Sequence, residues 1–279
     1  MPDFFDIHAH LNFVAYDADR DEVIRRVQDS KTWIMNVGTQ KDTSKKAVDL
    51  ANQHQIGVYA AVGLHPIHTS ASYHDEKEIG AGGKEFTSRG EVFDVDYYKS
   101  LAVDSKVLAI GECGLDYYRL ESETEAKQKE AFISQIELAN ELDKPLMLHI
   151  RNSKENGKRA YAEAYEILKS HAKVPADLHF FAGGTKEAEL FLDLGFSFSF
   201  TGVVTFTTDY DETLKYIPVE RIMSETDCPF VTPAPYRGKR NEPFYVSEVV
   251  KKIAETKKMP FKELREKLVQ NAFKFFNLK

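Results

Sequence analysis

Eight short apolar runs follow one another along the chain, and segments with helical periodicity separate them. The runs are rich in β-branched and aromatic residues, and several end at glycine or another turn residue, which is typical of buried strands. In order they are DFFDIHA, TWIMNVG, GVYAAVGL, VLAIGE, PLMLHI, DLHFFAG, FSFSFTG and RIMSETD. This alternation predicts an α/β fold, the (β/α)8 TIM barrel.

A doubly wound open sheet is the alternative architecture for the same alternation. No GxGxxG or GxxxxGK[ST] phosphate loop is present in the sequence to support it. The helical pattern is clear in the last segment, where five apolar residues are spaced to bury one stripe: Phe261, Leu264, Leu268, Ala272 and Phe275. We therefore expect a single TIM-barrel domain over residues 1–279.

Residues 68–97 interrupt this rhythm with a polar, glycine-containing stretch that is too long for an ordinary strand-to-helix loop. We interpret it as a long loop insertion. In a barrel, a loop after a strand lies over the catalytic mouth. The stretch is therefore either a lid over that mouth or a disordered surface insertion.

Composition limits the protein class. Apolar residues make up 42% and charged residues 29% of 279 residues, as in globular proteins, and no segment is apolar enough to cross a bilayer. The chain has two cysteines, Cys113 and Cys228, without CxxC spacing, which argues against a disulfide framework and against a thiolate zinc site. The start of the chain shows no leader pattern, so we expect a cytosolic protein, with the nucleus as a second compartment.

The formal net charge of −7 disfavours a protein that coats nucleic acid with a broad basic face. It does not exclude an enzyme that acts on phosphate esters, because bound metal ions can neutralise a pocket rich in carboxylates and attract the phosphate. The charge balance leaves both classes open.

Metal-binding side chains occur at the same end of five predicted strands. His8 and His10 have the i, i+2 spacing that places two side chains on one face of a strand. Taken singly, the later histidines could be buried core residues and the carboxylates helix caps. Burial of four imidazoles and two carboxylates together without partners would cost much folding free energy, so a bound metal ion is the better explanation. The set is His8, His10, Glu112, His149, His179 and Asp227.

The motifs that contain these residues resemble one family. DIHAHL, GLHP, GECGLDYY, LHIRNS, ETDCPF and RNEP occur from residue 3 to about residue 277 in the order found in the TatD family of metal-dependent deoxyribonucleases, a branch of the amidohydrolase superfamily. The stretches ECGLDYYRL and HIRNS resemble those of eukaryotic-type members more than those of short bacterial members. Two motifs depart from the family pattern: HFFAGG stands where HCFSG is common, and HPIH where HPH is common. His65 is therefore the safer residue to carry over, and the role of His68 stays open.

The resemblance implies two divalent metal ions, Mg²⁺, Mn²⁺ or Zn²⁺. By analogy, His8, His10 and Asp227 bind one ion, His149 and His179 bind the second, and Glu112 bridges them. Catalytic roles fall on Asp227, which would orient water and accept its proton, and on Glu112, which would set the separation of the ions.

Four further residues are predicted to contact substrate. Arg151 lies two residues beyond His149 and could bind a phosphate with two hydrogen bonds, or form a salt bridge at the strand end. Tyr118 could stack on a base or pack on the rim. Arg240 belongs to a basic loop, YRGKRNEPF, which is either a phosphate site or a solvated turn. The family resemblance adds His65.

Together these features predict a deoxyribonuclease that hydrolyses phosphodiester bonds in DNA through a water activated by two metal ions. DNA is the expected partner, as substrate, with no membrane and no obligate protein partner. One alternative is a metal-dependent esterase or deacylase, for example on mischarged aminoacyl-tRNA. The other is a non-catalytic barrel in which metals serve structure.

Overall fold

Eight parallel strands form a single sheet that confirms the predicted TIM barrel. The computed structural model describes residues 1–74, 86–118, 124–154, 157 and 159–279. The sheet order is β1-β2-β3-β6-β7-β8-β9-β10, which follows the chain and excludes the doubly wound alternative. The strands are β1 (Phe4–Ala9), β2 (Thr32–Val37), β3 (Val58–Val62), β6 (Val107–Asp116), β7 (Leu146–Arg151), β8 (Ala176–Leu178), β9 (Ser197–Phe200) and β10 (Ile222–Ser224).

The first and last parts of the sheet meet just beyond strand β10. Ala9 forms a parallel bridge with Cys228. The amide of His10 donates to the Cys228 carbonyl at 2.9 Å, and the amide of Asp227 donates to the His8 carbonyl at 2.9 Å. These bonds bring two distant stretches with candidate metal ligands side by side.

Nine described helices pack around the sheet: α1 (Arg20–Asp29), α2 (Lys41–Asn52), α3 (Val95–Ala102), α4 (Thr124–Leu142), α5 (Ala160–His171), α6 (Thr185–Asp193), α7 (Asp211–Tyr216), α8 (Val246–Lys257) and α9 (Phe261–Phe275). Helix α9 buries Leu264, Leu268 and Ala272 as predicted. Phe261 was predicted to belong to the same buried stripe but is 37% exposed, because it is the first residue of the helix. No helix in the described ranges is long and apolar enough to cross a membrane.

Apolar side chains form two clusters on either side of the sheet. The larger one joins the strands to the surrounding helices. The smaller one contains alternate strand residues such as Met35, Val37, Tyr59 and Ala61, together with Phe273 of helix α9. This division follows the period-two alternation of side chains along a strand. It leaves the carboxyl ends of the strands for polar residues.

The predicted loop at 68–97 lies partly outside the described residues. Its described parts include strands β4 (Ser72–His74) and β5 (Phe86–Ser88), which pair antiparallel, and the first residues of helix α3. Residues 75–85 lie outside the described ranges, so the lid and the surface-insertion interpretations both stay predictions.

Candidate metal centre

His8 on strand β1, His10 just after this strand and Asp227 after β10 form the first part of the site. The Nε2 atoms of His8 and His10 are 3.1 Å apart. Asp227 Oδ1 lies 3.3 Å from His10 Nε2 and 3.9 Å from His8 Nε2. All three residues are buried. The predicted pairing of His8 with His10 at the end of the first strand therefore produces a compact cluster of nitrogen and oxygen atoms.

Glu112 on strand β6 lies at the centre of the remaining histidines. Its Oε1 is 2.9 Å from His149 Nδ1, 3.3 Å from His65 Nε2 and 3.6 Å from His179 Nε2, and its Oε2 is 3.4 Å from His8 Nε2. Within the described residues, three groups have ligand atoms close enough to hold an ion: His8, His10 and Asp227; His8, Glu112 and His179; and His65, Glu112 and His149. Since His8 and Glu112 are shared, the groups form one continuous cluster.

Hydrogen bonds at Nδ1, the ring nitrogen that points away from the cluster, determine the tautomers of His10 and His179. A backbone carbonyl can only accept, so His10 Nδ1, 2.9 Å from Val37 O, carries the proton in the neutral ring. His179 Nδ1 is 2.9 Å from a carboxylate oxygen of Glu225 and is likewise a donor. A neutral ring of this kind presents the lone pair of Nε2 to the cluster, as a metal ligand must.

His65 has the opposite arrangement. Its Nδ1 accepts the amide of Ile67 at 3.2 Å, so the ring proton is on Nε2, where it faces Glu112. His65 in this form donates a hydrogen bond to the carboxylate. This favours its predicted role as a substrate contact over a role as a ligand.

The residues present fit a divalent cation. Two nitrogens 3.1 Å apart share at most one proton, and the nearby Asp227 oxygen can only accept when it is ionised. Burial, with the charge of His179, lowers the pKa of His8 to about 4, so this ring is neutral at pH 7. Imidazole nitrogens together with carboxylates are a donor set for zinc, manganese and related ions.

Neighbouring carboxylates and imidazoles in the cluster shift one another's pKa values. Burial alone would lower the pKa of His149, but hydrogen bonds to Asp116 and Glu112 raise it to about 9. Burial is likewise outweighed at His179, where the charge of Glu225 raises the pKa to about 10. Burial opposes ionisation of Glu112, yet the surrounding histidines hold its pKa well below the usual range. The metal-free site thus pairs carboxylates with imidazolium rings.

Comparison with known proteins establishes the family. The family described as TatD related DNase matches residues 5–277. The chain belongs to this family. It is a metal-dependent hydrolase, and the cluster above fits the divalent metal ions that such a TatD protein requires.

Individual relatives agree over nearly the full length. An uncharacterized metal-dependent hydrolase, YabD of Bacillus subtilis, is 37% identical over 98% of this chain and 99% of its own. A protein named 3'-5' ssDNA/RNA exonuclease TatD, from Yersinia pseudotuberculosis, is 32% identical over 98% of this chain and 99% of its own. The crystal structure of the TatD homolog YjjV of Escherichia coli has the same fold, with a TM-score of 0.80, 23% identity and 99% coverage of both chains.

Two buried carboxylates in this TatD chain orient candidate ligands and were not predicted. Asp116 Oδ2 is 2.8 Å from His149 Nε2, and Glu225 Oε2 is 2.9 Å from His179 Nδ1. Carboxylates in such positions commonly hold metal-binding histidines in one tautomer. Strand spacing could have identified both, because Asp116 is four residues beyond Glu112 and Glu225 is two before Asp227.

Strand β6 reaches the site through a local irregularity. Its pairing with β7 shifts between Ile110 and Cys113. Gly114 has φ +142°, and a Cβ atom there would lie 2.1 Å from the His149 carbonyl oxygen. Only glycine allows this close approach of the two strands. The irregularity lies next to Glu112, as is usual for strand irregularities near functional sites.

The predicted substrate contacts separate into two groups. The guanidinium of Arg151 lies 3.7 Å from the centre of the Tyr118 ring, at the carboxyl end of β7. Arg240 instead forms two hydrogen bonds to Asp19, at 2.8 and 2.6 Å, and a third to the carbonyl of Ala15. The donors of Arg240 therefore already have partners in the segment before α1. This is a structural role and differs from the phosphate contact predicted for this residue.

Proposed function

We propose that this protein is a divalent-metal-dependent deoxyribonuclease that hydrolyses phosphodiester bonds in DNA with two metal ions. The observation that carries the proposal is the position of Glu112, whose two oxygens lie within 3.6 Å of imidazoles carried on, or just after, three other strands. A carboxylate placed between two sets of ligands is suited to bridge two cations.

We take the ligand roles from the family resemblance, and the contacts of Glu112 with His8, His149 and His179 support its central place among them. His8, His10 and Asp227 would hold one ion, and His149 and His179 the second, with Glu112 shared. Mg²⁺, Mn²⁺ and Zn²⁺ are the candidates. When bound, such a pair of ions screens the charge of the phosphate and lowers the pKa of water.

Side chains of the site supply the proton transfer. The nearby histidines lower the pKa of Asp227 despite its burial, so the group is a carboxylate at neutral pH. In this form it can accept a proton from water. His65, with its proton on Nε2, can exchange its hydrogen bond to Glu112 for one to a phosphate oxygen that enters beside this carboxylate.

Substrate binding at the rim would use Arg151 and Tyr118. A guanidinium can form two parallel hydrogen bonds to a phosphate, and a tyrosine ring can stack on a base. The name of the Yersinia relative, an exonuclease of single-stranded DNA and RNA, supports a nucleic acid substrate.

The test is cleavage of a 5′-labelled single-stranded oligodeoxynucleotide with Mg²⁺ or Mn²⁺ and after chelation. Asp227→Asn and Glu112→Gln should each lower kcat at least about 100-fold, as expected when one centre of charge stabilisation or proton transfer is removed. The matched control is Asp29→Asn, on the exposed outer side of helix α1, which should retain wild-type activity.

Two results would contradict the proposal. One is the absence of metal-dependent cleavage by the wild-type protein, and the other is equal cleavage by Asp227→Asn. A parallel assay with aminoacyl-tRNA identifies the ester-hydrolysis alternative, because that enzyme would release amino acid without cutting DNA. Metal binding without either reaction would support the non-catalytic barrel.

A further inference from the structure

An exposed phenylalanine and an arginine form a stacked pair on the loops that follow the last two barrel strands. Phe206 lies between β9 and helix α7, and Arg237 lies between β10 and helix α8. The Arg237 guanidinium is 4.0 Å from the centre of the Phe206 ring. Phe206 remains 43% exposed although one of its contacts is this guanidinium, so a large part of an apolar ring faces solvent.

The two loops that carry the pair are joined to each other. The hydroxyl of Thr205 accepts the amide of Ala234 at 2.8 Å. A Cβ atom on Gly202 would lie 2.3 Å from the Val231 carbonyl oxygen, so the two backbones are in close contact. Arg237 itself donates to the backbone of its own loop, to Thr232 O at 2.8 Å. The ring and the guanidinium are thus presented by a connected surface.

Aromatic contacts link the candidate metal centre to the chain segment that also carries Arg237. Phe13 stacks on the His10 ring with a centroid distance of 4.3 Å. Phe230, three residues after Asp227, lies 6.2 Å from the His10 ring and 6.4 Å from that of Phe13. Phe230 is followed directly by Val231, the residue that touches the loop of Phe206. The segment from Asp227 to Arg237 therefore carries a candidate metal ligand, a ring beside His10 and the guanidinium of the stacked pair.

The charge of Arg237 is not neutralised by a carboxylate in the part of the chain that the structure describes. Arg240 and Arg26 from the same region are both paired, with Asp19 and Glu242. In a protein with a net charge of −7, an exposed arginine without an acidic partner is available to an anion. Guanidinium donors not used by Thr232 match the geometry of a phosphate.

We propose that Phe206 and Arg237 form an outer nucleotide subsite, in which one base of a single-stranded polynucleotide stacks on Phe206 while Arg237 binds the adjoining phosphate. The subsite repeats the combination of Arg151 over Tyr118 three strands further round the barrel. It selects single strands, because the faces of bases are free to stack on a protein ring only when the bases are not stacked in a duplex. This inference rests on the proposed function for its substrate class.

Binding measurements test the subsite without requiring turnover. The probe is a labelled oligothymidylate of ten nucleotides, the decamer. Its fluorescence anisotropy, with metal chelated, gives the Kd for the wild-type protein and for each variant. Phe206→Ala should weaken binding between about 5-fold and 150-fold, the range for loss of one stacked base. Arg237→Ala should weaken binding and reduce the slope of log Kd against log salt by about 0.7, one phosphate contact on a single strand.

Arg237→Lys separates charge from stacking, since lysine keeps the positive charge but lacks the planar group. It should retain the salt slope and lose part of the affinity. The matched control is Arg25→Ala, an exposed arginine on helix α1, which should bind like the wild type. The ratio of the affinity for the single-stranded decamer to that for a duplex of the same length should fall in Phe206→Ala, because bases stacked within a duplex are not free to stack on Phe206.

Three outcomes would overturn the subsite: wild-type affinity in both alanine variants, equal loss for the single-stranded decamer and a duplex of the same length, or wild-type protein that does not bind the decamer. The first two can occur in a protein that cleaves DNA, so they refute the subsite alone. Absence of cleavage with normal effects on binding would refute the proposed function alone.

Discussion

Glu225 offers a direct test of how the chain controls its candidate metal ligands. This buried carboxylate accepts three hydrogen bonds: from His179 Nδ1 at 2.9 Å, from the Phe180 amide at 2.6 Å and from the Ser199 hydroxyl at 2.8 Å. Glu225→Gln keeps the shape but replaces one acceptor oxygen with an amide donor. The amide nitrogen then faces either the Phe180 amide or the His179 Nδ1–H, and both of these groups are themselves donors.

The magnitude follows from those contacts. If the amide nitrogen faces Phe180, one buried donor loses its partner, which costs about 1–3 kcal/mol of unfolding free energy. If it faces His179, the ring proton moves to Nε2 and the lone pair is lost from the cluster. Loss of an orienting partner of this kind typically lowers metal affinity 10- to 100-fold, or about 1.4–2.7 kcal/mol.

Isothermal titration calorimetry with Mn²⁺, together with chemical denaturation, measures both quantities. The matched control is Glu212→Gln on helix α7, whose side chain is 82% exposed and pairs with Lys215, so that change should stay within about 0.5 kcal/mol. A folded Glu225→Gln variant that binds Mn²⁺ as tightly as the wild type would refute the assignment of Glu225 as an orienting residue.

Three further predictions concern other parts of the molecule. Because the pKa values of His149 and His179 are raised to about 9 and about 10, both rings carry a proton at pH 7 that a bound metal must displace. Metal affinity should therefore rise with pH towards this range, with proton release seen by calorimetry in buffers of different ionisation enthalpy; pH-independent affinity would contradict this. Arg151→Ala should weaken oligonucleotide binding about 10-fold, whereas Arg240→Ala should lower the unfolding free energy by about 1 kcal/mol and leave binding intact; anisotropy and denaturation distinguish them, and the reverse pattern would refute the two roles. Gly114→Ala should destabilise the protein by roughly 1–3 kcal/mol, because alanine is strained at that φ and meets the neighbouring strand; an unchanged denaturation midpoint would count against this account.

The barrel and the metal-binding residue set were within reach of the sequence. Strand and helix periodicity are local properties, and eight repeats of the pattern limit the topology to few choices. Once the barrel is assumed, residues at the ends of strands must share one rim, whatever their separation along the chain. This is why His8 and Asp227, which are far apart in sequence, could be placed together before any coordinates.

Tertiary structure alone decided how those residues are used. In the sequence, Arg240 is one of several cations in a basic loop. In the folded protein its guanidinium donates two hydrogen bonds to Asp19, the residue before helix α1. The carbonyl of Val37, which lies on the next strand, determines that the neutral His10 ring presents Nε2 to the cluster. The tautomer of an imidazole and the partner of a guanidinium depend on atoms brought close by folding. Local sequence patterns specify which elements form and which faces are apolar, but they contain no information about these distances.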